Sequence, residues 1–309
     1  MTAKPWAIAH ATDPNATYPV VGWAPMKTGH FCFVALASAA ISCGGSSTPA
    51  PQSVQPSPTT EAKLATVLTG NQRTAEERAR DNYRHPRETL EFFGVRENMT
   101  VIELSASKGW YTAILGPLLS EKGKLAVTNA DPNGPPDSEG TKNAKSLLER
   151  IAKDPAAFGK VSTIVTNWKR DEVSLGPDGS ADMVLTFRNL HGWIANGVAD
   201  KVLTASFKVL KNGGTLGVEE HRAKPEASTD PKAIGDSGYV PEALVVQLAQ
   251  KAGFKLSGAS EVNANPKDTK DHPKGVWTLP PTLQLGDTDK EKYLAIGESD
   301  RMTLKFVKP

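Results

Sequence analysis

The stretch MTVIELSASKGWYTAILGPLL, residues 99–119, contains the pattern that decides the fold. It begins with a short apolar run at 101–104, passes through small residues at 105–109, and continues with apolar side chains at helical spacing from Trp110 to Leu118. That order predicts a strand, a tight turn and an amphipathic helix with Trp110 on its apolar face. A turn of this kind directs backbone N–H groups toward a bound ligand.

Further apolar runs downstream predict the other strands of a sheet. They lie at 125–128, 161–165, 181–187, 215–218, 255–262 and 303–307. Segments with helical periodicity separate most of them, and strands that alternate with helices pack as a parallel sheet with helices on both faces. The last run alternates apolar and polar residues, which is typical of an edge or antiparallel strand. The chain is therefore predicted to be an α/β protein with a doubly wound sheet.

The overall composition bounds the class of protein. The chain has 309 residues, of which 39% are hydrophobic and 23% are charged, as in ordinary soluble globular proteins. A net charge of +2 gives no reason to expect a nucleic-acid partner. Residues 61–309 have the length of one large folded domain, and nothing in the sequence indicates an oligomeric state.

Residues 26–43 have the layout of an export signal. Lys27 is followed by an apolar run at 31–41 that is too short to span a membrane, and then by small residues before Cys43. The final Ala-Ala-Ile-Ser-Cys resembles a bacterial lipobox, in which the cysteine becomes the lipidated first residue of the mature protein. We therefore expect a lipoprotein anchored through Cys43 on the periplasmic face of the cell envelope. Export without lipidation and a cytoplasmic location are the alternatives.

The segments on either side of this signal are not expected to fold. Residues 1–25 lack a basic start followed by an apolar run, so we expect Met26 to be the true start of the protein. Residues 44–60 consist mainly of Gly, Ser, Pro, Gln and Thr, which cannot bury enough apolar surface to offset the entropy of ordering. This second segment is predicted to be a disordered tether ahead of the folded domain.

Polar residues collect where the predicted parallel strands end, which is the edge at which ligands bind in such sheets. They are Glu103–Gly109, Asn129, Asp131, Asn167, Trp168, Arg188–His191 and Glu219–Arg222. Asp131 follows the second strand, about 20 residues past the first turn, where a carboxylate commonly holds a ribose. The first turn has only one glycine instead of a G-x-G-x-x-G pattern, so a nicotinamide dinucleotide is not expected. The structural alternatives are a turn at Asp131, core packing for Trp168, and an ion pair of Arg188 with Glu219 or Glu220.

Several long strings give the chain a resemblance to a known family. They are RHPRETLEFFGV (84–95), the opening stretch (99–119), ADMVLTFRNLHGW (181–193), LGVEEHR (216–222), SGYVPE (237–242), GVWTLPP (275–281) and ESDRMTLKF (298–306). The chain resembles the class I S-adenosylmethionine-dependent methyltransferases, and more narrowly a bacterial group of predicted methyltransferases, many of them exported. The family fold is a Rossmann-like sheet of seven strands, mostly parallel, with an antiparallel last strand, which agrees with the alternating run at 303–307.

The resemblance implies a site for S-adenosylmethionine and a small-molecule methyl acceptor. By position in the family pattern, the implied cofactor-binding residues are Glu103, Ser105, Ser107, Gly109, Asp131, Asn167, Trp168 and Arg188. Asp131, or Asn129 beside it, falls near the ribose, and Asn167 and Trp168 fall near the adenine. The group usually has more glycine in its first loop, where this chain has Ala-Ser-Lys-Gly at 106–109.

Methyl transfer requires mainly that the acceptor be aligned with an already activated sulfonium, and a base can remove the acceptor's proton. Histidine titrates in the suitable range, and His191 is the first candidate for this base, with His85 and His221 behind it. Arg188 would hold an acidic acceptor or a carboxylate. The sequence has no HxH or HExxH spacing, so no metal site is predicted. Glu220 and His221 are the alternative, as parts of a metal site assembled from separate loops.

Two functions remain open from the sequence. The first is an S-adenosylmethionine-dependent methyltransferase that acts on a small molecule. The second is an envelope lipoprotein that uses the same fold as a non-catalytic ligand-binding module, because S-adenosylmethionine is a cytoplasmic metabolite and the first loop is poor in glycine. The segment 264–302 is predicted to form either a lid over the strand ends or a structural wrap.

Overall fold

The computed structural model describes residues 58–169 and 173–309, which contain a seven-stranded sheet in the order β3-β2-β1-β4-β5-β7-β6. The strands are β1 (Thr100–Leu104), β2 (Lys124–Asn129), β3 (Val161–Val165), β4 (Ala181–Phe187), β5 (Leu210–His221), β6 (Lys255–Ser260) and β7 (Arg301–Val307). The pairs among β1 to β5 are parallel, whereas β7 runs antiparallel to both β5 and β6. The predicted Rossmann-like sheet with an antiparallel last strand is confirmed.

Helices cover both faces of this sheet. They are α1 (Pro58–Thr69), α2 (Ala75–Ala79), α3 (Asp81–Arg84), α4 (Pro86–Phe93), α5 (Thr112–Leu119), α6 (Glu139–Lys153), α7 (Pro155–Phe158), α8 (Leu190–Ala195), α9 (Ala199–Val209), α10 (Pro231–Ser237), α11 (Glu242–Lys251) and α12 (Lys290–Ile296), with a 3-10 turn at Gly275–Thr278. The short helices α8 and α10 were not anticipated from the sequence, because neither is long enough to show a period.

Two apolar cores lie on opposite faces of the sheet. Adjacent residues of a strand point to opposite sides, so that Val101 packs in one core and Ile102 in the other. One core joins the sheet to α1, α4, α5 and α6, and the other joins it to α8, α9 and α11. Strand β4 is buried along almost its whole length, as expected for a central parallel strand.

Some predicted boundaries differ from the structure. Strand β5 begins at Leu210 rather than at residue 215, because the Asn212-Gly213-Gly214 sequence, which is typical of a turn, here stays within the strand. Trp110 precedes α5 instead of lying on its face, since Gly109 still belongs to the turn, with a φ of 81°, and the helix begins only at Thr112.

The segment 264–302 is tied down by buried hydrogen bonds. The Asp268 carboxylate accepts from the Tyr239 hydroxyl at 2.8 Å and from the backbone N–H of Asp300 at 2.7 Å. The Asn265 side chain donates to the carbonyls of Ile296 and Glu298 at 2.9 and 2.7 Å. These contacts agree with the predicted structural wrap, and the lid over the strand ends stays a prediction.

The N-terminal predictions fall outside the described residues. These are the late start at Met26, the signal at 26–43 with Cys43, and most of the tether at 44–60. The last three residues of that tether, 58–60, form the first turn of α1. Within the part of the chain that the structure describes, no helix combines the length and the apolar character needed to cross a membrane.

Candidate functional site

Two adjoining cavities open at the carboxyl ends of the parallel strands. The larger has a volume of about 770 Å³ and the smaller about 420 Å³. Both are lined by Arg188 and Asn189, which directly follow β4. The Asn189 amide donates to the carbonyl of Leu104 at 3.1 Å and so joins the ends of β4 and β1. The two cavities therefore lie side by side at the sheet edge and share the wall formed by these two residues.

The larger cavity carries a carboxylate and an aromatic side chain on its wall. Asp131 is exposed, and its Oδ1 accepts from the backbone N–H of Asn133 at 2.8 Å, which forms the turn that the sequence left open for this residue. Trp168 packs edge-on against Trp193 with ring centroids 6.1 Å apart. Val165 also lines the cavity and is 57% exposed, an unusual exposure for an apolar side chain.

The smaller cavity is lined by the first loop and by three arginines. The loop residues are Ser105–Lys108, and the arginines are Arg80, Arg84 and Arg188. Arg84 stacks over the ring of Trp110, with its guanidinium carbon 4.6 Å from the ring centroid. Such cation–π contacts hold a guanidinium in place without neutralising its charge. The contact therefore fixes the position of the Arg84 guanidinium at the wall of the cavity.

The first loop has an alternating left-handed backbone. The φ angles of Ser105, Ser107 and Gly109 are 47°, 55° and 81°. These values lie in the left-handed region, which residues other than glycine seldom adopt. Strand β2 supports this loop, because Thr128 Oγ1 accepts from the backbone N–H of Ser105 at 2.8 Å and Asn129 donates to the carbonyl of Ser107 at 2.8 Å. The loop keeps a glycine-like course although it contains serines.

Replacing Ser107 with glycine is expected to stabilise the protein. The left-handed conformation costs an L-residue about 1–2 kcal/mol, and the greater chain entropy of glycine offsets about 0.5–1 kcal/mol of that gain. We expect the free energy of unfolding, measured in urea, to rise by about 0.5–1 kcal/mol. The matched control is Ser138→Gly, at an N-cap with a φ of −67°, where stability should fall by a few tenths of a kcal/mol. A loss of stability in Ser107→Gly would contradict the loop geometry.

Glu103 lies beneath the loop and is almost fully buried. Its side chain is 2% exposed, and its carboxyl accepts from the Thr112 hydroxyl at 2.6 Å. Burial raises the pKa of Glu103 to about 8, so that the carboxyl is mainly protonated at neutral pH. Glu103 therefore forms part of the floor of the smaller cavity without contributing a full negative charge.

A buried ionic network stands behind the smaller cavity. Glu219 is fully buried, and its carboxylate accepts from Arg188 at 2.8 Å, from Arg301 at 3.0 Å and from the Tyr111 hydroxyl at 2.9 Å. Burial alone would raise the pKa of Glu219, but the two guanidinium groups outweigh it and hold the pKa below the ordinary value. The ion pair predicted as an alternative role for Arg188 is present, while the same side chain also lines both cavities.

A second carboxylate extends this network. Glu298 accepts from Arg80 at 2.6 Å and from Arg84 at 3.2 Å, and Arg301 lies 3.4 Å from it. The guanidinium groups around Glu219 and Glu298 are Arg80, Arg84, Arg188 and Arg301. Four guanidinium groups therefore face two carboxylates beside the smaller cavity, and burial together with the neighbouring Arg188 lowers the pKa of Arg84 well below its ordinary value.

Two histidines and a carboxylate meet at the wall of the larger cavity. His191 Nδ1 lies 3.1 Å from Glu220 Oε1, and the rings of His191 and His221 are 5.5 Å apart. Burial lowers the pKa of His191, but the Glu220 carboxylate outweighs this effect and raises it above the ordinary value. Burial and the neighbouring His191 hold the pKa of His221 well below its ordinary value. His191 lines the cavity itself.

The structure brings most of the predicted site residues together. Those that line the two cavities are Glu103, Ser105, Ser107, Asp131, Asn167, Trp168, Arg188 and His191. Gly109 is buried and shapes the loop from behind, with Leu147 packed against it. His85 lines neither cavity, and its Nδ1 lies 3.4 Å from Asn263 Oδ1. The cofactor-binding role of the lining residues stays a prediction.

The sequence analysis missed Arg80 and Arg84 as residues of the site. Both lie on or beside short helices ahead of β1, whereas most of the candidate residues named from the sequence follow the ends of strands. The signal available was the cluster of arginines at 73–87. Their partner, Glu298, is more than 200 residues away in the chain, so the pairing itself had no local signature.

Comparisons with known proteins support the fold. No family model matches the sequence, and no curated protein matches it. A proposed sarcosine dimethylglycine methyltransferase from Galdieria sulphuraria is 14% identical with a TM-score of 0.52, over 75% of this chain and 87% of that one. The [4+2]-cyclase SpnF is 14% identical with a TM-score of 0.51, over 78% and 86%. A SAM-dependent methyltransferase from Aquifex aeolicus is 16% identical with a TM-score of 0.49, over 81% and 98%.

Identities at this level establish architecture and leave the reaction open. One of these structures is named as a cyclase and another as a methyltransferase, so the shared fold does not define the chemistry. The chain has a seven-stranded, mostly parallel Rossmann-like sheet, and its fold is similar to that of the proposed Galdieria sulphuraria methyltransferase.

Proposed function

We propose that this chain binds S-adenosylmethionine across the two adjoining cavities and transfers its methyl group to a small-molecule acceptor. The observation that carries this proposal is the pair of neighbouring cavities at the ends of β1, β2 and β4, which share Arg188 and Asn189 as lining residues. Ligands of doubly wound sheets bind at this edge. The resemblance in sequence implies that the ligand here is S-adenosylmethionine.

The chemistry of the larger cavity fits an adenosine. The exposed Asp131 carboxylate is suited to accept hydrogen bonds from ribose hydroxyls. Trp168 and the exposed side chain of Val165 offer an apolar surface to the adenine ring. Ligand pockets commonly have volumes of about 300–1,000 Å³, and the cavity volume of about 770 Å³ leaves room for an acceptor beside a nucleoside.

The chemistry of the smaller cavity fits the amino-acid end of the cofactor. Arg80, Arg84 and Arg188 supply positive charge for a carboxylate, and Arg84 is held by its contact with Trp110. When bound, S-adenosylmethionine supplies a methyl group already activated by its sulfonium. The chain then has mainly to hold the acceptor in line with that methyl group, and His191 stands on the wall of the larger cavity where the acceptor would lie.

Isothermal titration of the purified chain with S-adenosylmethionine and S-adenosylhomocysteine tests this proposal. We expect micromolar binding by the wild-type protein. Asp131→Ala should weaken binding by about 1.5–3 kcal/mol, the usual value of a hydrogen bond to a charged group. Asp137→Ala is the matched control, because Asp137 is exposed in the same loop and does not line the cavity, and its affinity should stay unchanged.

The result that contradicts the proposal is a well-folded wild-type protein that binds neither compound. That outcome would favour the non-catalytic ligand-binding module over the methyltransferase. Equal affinities in the wild type and Asp131→Ala would remove Asp131 from the ribose site without affecting the rest of the proposal.

We further propose that the chain is exported and anchored to the cell envelope through a lipid on Cys43. The support is the basic, apolar and small-residue order at 26–43 and its lipobox-like end. Intact mass measurement of the native protein should show cleavage before Cys43 and the added mass of acyl chains. A mature protein that retains Thr2 would contradict this proposal.

A further inference from the structure

We infer that His191, Glu220 and His221 form a binding site for one divalent transition-metal ion, such as Zn²⁺ or Co²⁺. Each side chain offers a ligand atom, and these atoms all lie within 4.8 Å of one another. This inference goes beyond methyl transfer and does not depend on it, because the cluster is defined by its own geometry.

The three side chains come from two elements that meet at the edge of the sheet. Glu220 and His221 are the last residues of β5, and His191 lies in the first turn of α8. Glu220 is fully buried, and its carboxylate accepts from the backbone N–H of His221 at 2.9 Å and of His191 at 3.3 Å. These backbone bonds hold the carboxylate between the two imidazoles, as a preorganised ligand requires.

The donor set selects a class of metal. Two imidazoles and one carboxylate are typical ligands of Zn²⁺ and of other borderline first-row ions, whereas Mg²⁺ and Ca²⁺ prefer oxygen ligands alone. Three protein ligands leave a further coordination position, as in catalytic zinc sites. An oxygen of a small molecule, from a hydroxyl or a carboxylate, is the chemistry that would complete such a site.

A buried serine holds the ring of His221, as neighbouring groups commonly do for a metal-binding histidine. Its Nδ1 lies 2.5 Å from the Oγ of Ser299, a residue that is 4% exposed. Because Nδ1 has this partner, Nε2 is the nitrogen that would bind the metal, and metal-bound histidines commonly form a hydrogen bond through their second nitrogen. Ser299 belongs to the wrap segment, which therefore contributes to the cluster.

The cluster is accessible from the larger cavity. The side chain of His191 is 18% exposed and lines that cavity, and its ring lies 6.0 Å from the ring of Trp277. An ion bound here is reached through the same opening as the proposed methyl acceptor. Small molecules with neighbouring oxygen donors are the ligands that this arrangement favours.

Titration of the full chain with Co²⁺, followed by the visible absorption of the metal, tests the inference. We expect one equivalent to bind with the intense bands of a low-coordinate N/O site and without a thiolate charge-transfer band, which excludes Cys32 and Cys43 as ligands. His191→Asn and Glu220→Gln should each abolish these bands while far-UV circular dichroism stays unchanged. His85→Asn is the control, since His85 lies outside the cluster and asparagine tolerates its φ of 37°.

A milder variant keeps the test decisive if a ligand substitution disturbs folding. Ser299→Ala removes only the outer partner of His221 and should weaken Co²⁺ binding by about 10- to 100-fold. A folded wild-type protein that binds no Co²⁺ or Zn²⁺ would overturn the inference, as would cobalt spectra that are identical in the wild type and in folded Glu220→Gln. These readouts do not involve S-adenosylmethionine, so their failure is separate from failure of the proposed function.

Discussion

Replacement of Glu219 with alanine is expected to lower the free energy of unfolding by about 3–5 kcal/mol, the cost of breaking a buried ion pair from one side. Glu219 is fully buried and pairs with Arg188 and Arg301, and Arg301 is itself 1% exposed. Without the carboxylate, the Arg301 guanidinium loses its closest charged partner while it remains out of water. The same change leaves the Tyr111 hydroxyl without its acceptor at 2.9 Å.

Glu261→Ala is the matched control for this prediction. Glu261 also pairs with an arginine, Arg222, but its side chain is 69% exposed, and Arg222 keeps Asp300 as a second partner. Exposed ion pairs contribute about 0–1 kcal/mol, so this variant should unfold in urea at nearly the wild-type midpoint. If the free energy of unfolding falls by the same small amount in both variants, the buried network does not stabilise the protein as proposed.

Glu103→Gln is expected to stabilise the protein increasingly as the pH rises. The pKa of Glu103 is raised to about 8 in the folded protein, against about 4.3 in an unfolded chain. Between these values the folded state binds more protons than the unfolded state, so the contribution of Glu103 to stability falls as the pH increases. Glutamine keeps the shape and can still accept from the Thr112 hydroxyl, but it has no proton to lose.

The difference between the two proteins should therefore follow the titration of this one group. We expect similar unfolding free energies at pH 4, and an advantage for Glu103→Gln on the order of 3–5 kcal/mol at pH 9. Urea titrations of both proteins at several pH values measure this difference, in which the other titrating groups cancel. A constant difference across the pH range would show that Glu103 ionises normally in the folded protein.

The sheet could be predicted from sequence because its signals are local. Val161–Val165 and Ala181–Phe187 are apolar runs with the bounds that the structure shows. The alternating run ending at Val307 also indicated the antiparallel strand. Burial on one or both faces imposes such a pattern on β4 and β7. Strand β3 lies at the edge of the sheet and has no buried residue, and its β-branched residues indicate a strand instead.

The site could be predicted only in part, because its electrostatics depend on distant residues. The strand-end rule placed Asp131 and Arg188 on one edge, where they line a common cavity. It also offered an ion pair of Arg188 with Glu219 or Glu220, and the structure shows the pair with Glu219. It gave no indication that Glu298 pairs with Arg80, which lies 218 residues away in the chain. The contact between His191 and Glu220 also had no local signal in the sequence. The two residues are 29 positions apart and meet only when β4 and β5 pair.

The backbone course of the first loop was not visible from its composition. Its low glycine content suggested a loop unable to approach a ligand closely, yet Ser105 and Ser107 adopt the left-handed conformations that glycine usually provides. Support from Thr128 and Asn129 on β2 offsets the conformational cost. The left-handed course of the loop therefore depends on strand β2 as well as on the loop sequence.

A crystal structure of the chain grown with saturating S-adenosylhomocysteine tests the central claim most directly. The account predicts density that spans both cavities, with the ribose at Asp131, the adenine beside Trp168 and the carboxylate toward Arg84 and Arg188. Density for the nucleoside at any other place, or two empty cavities under these conditions, would contradict it.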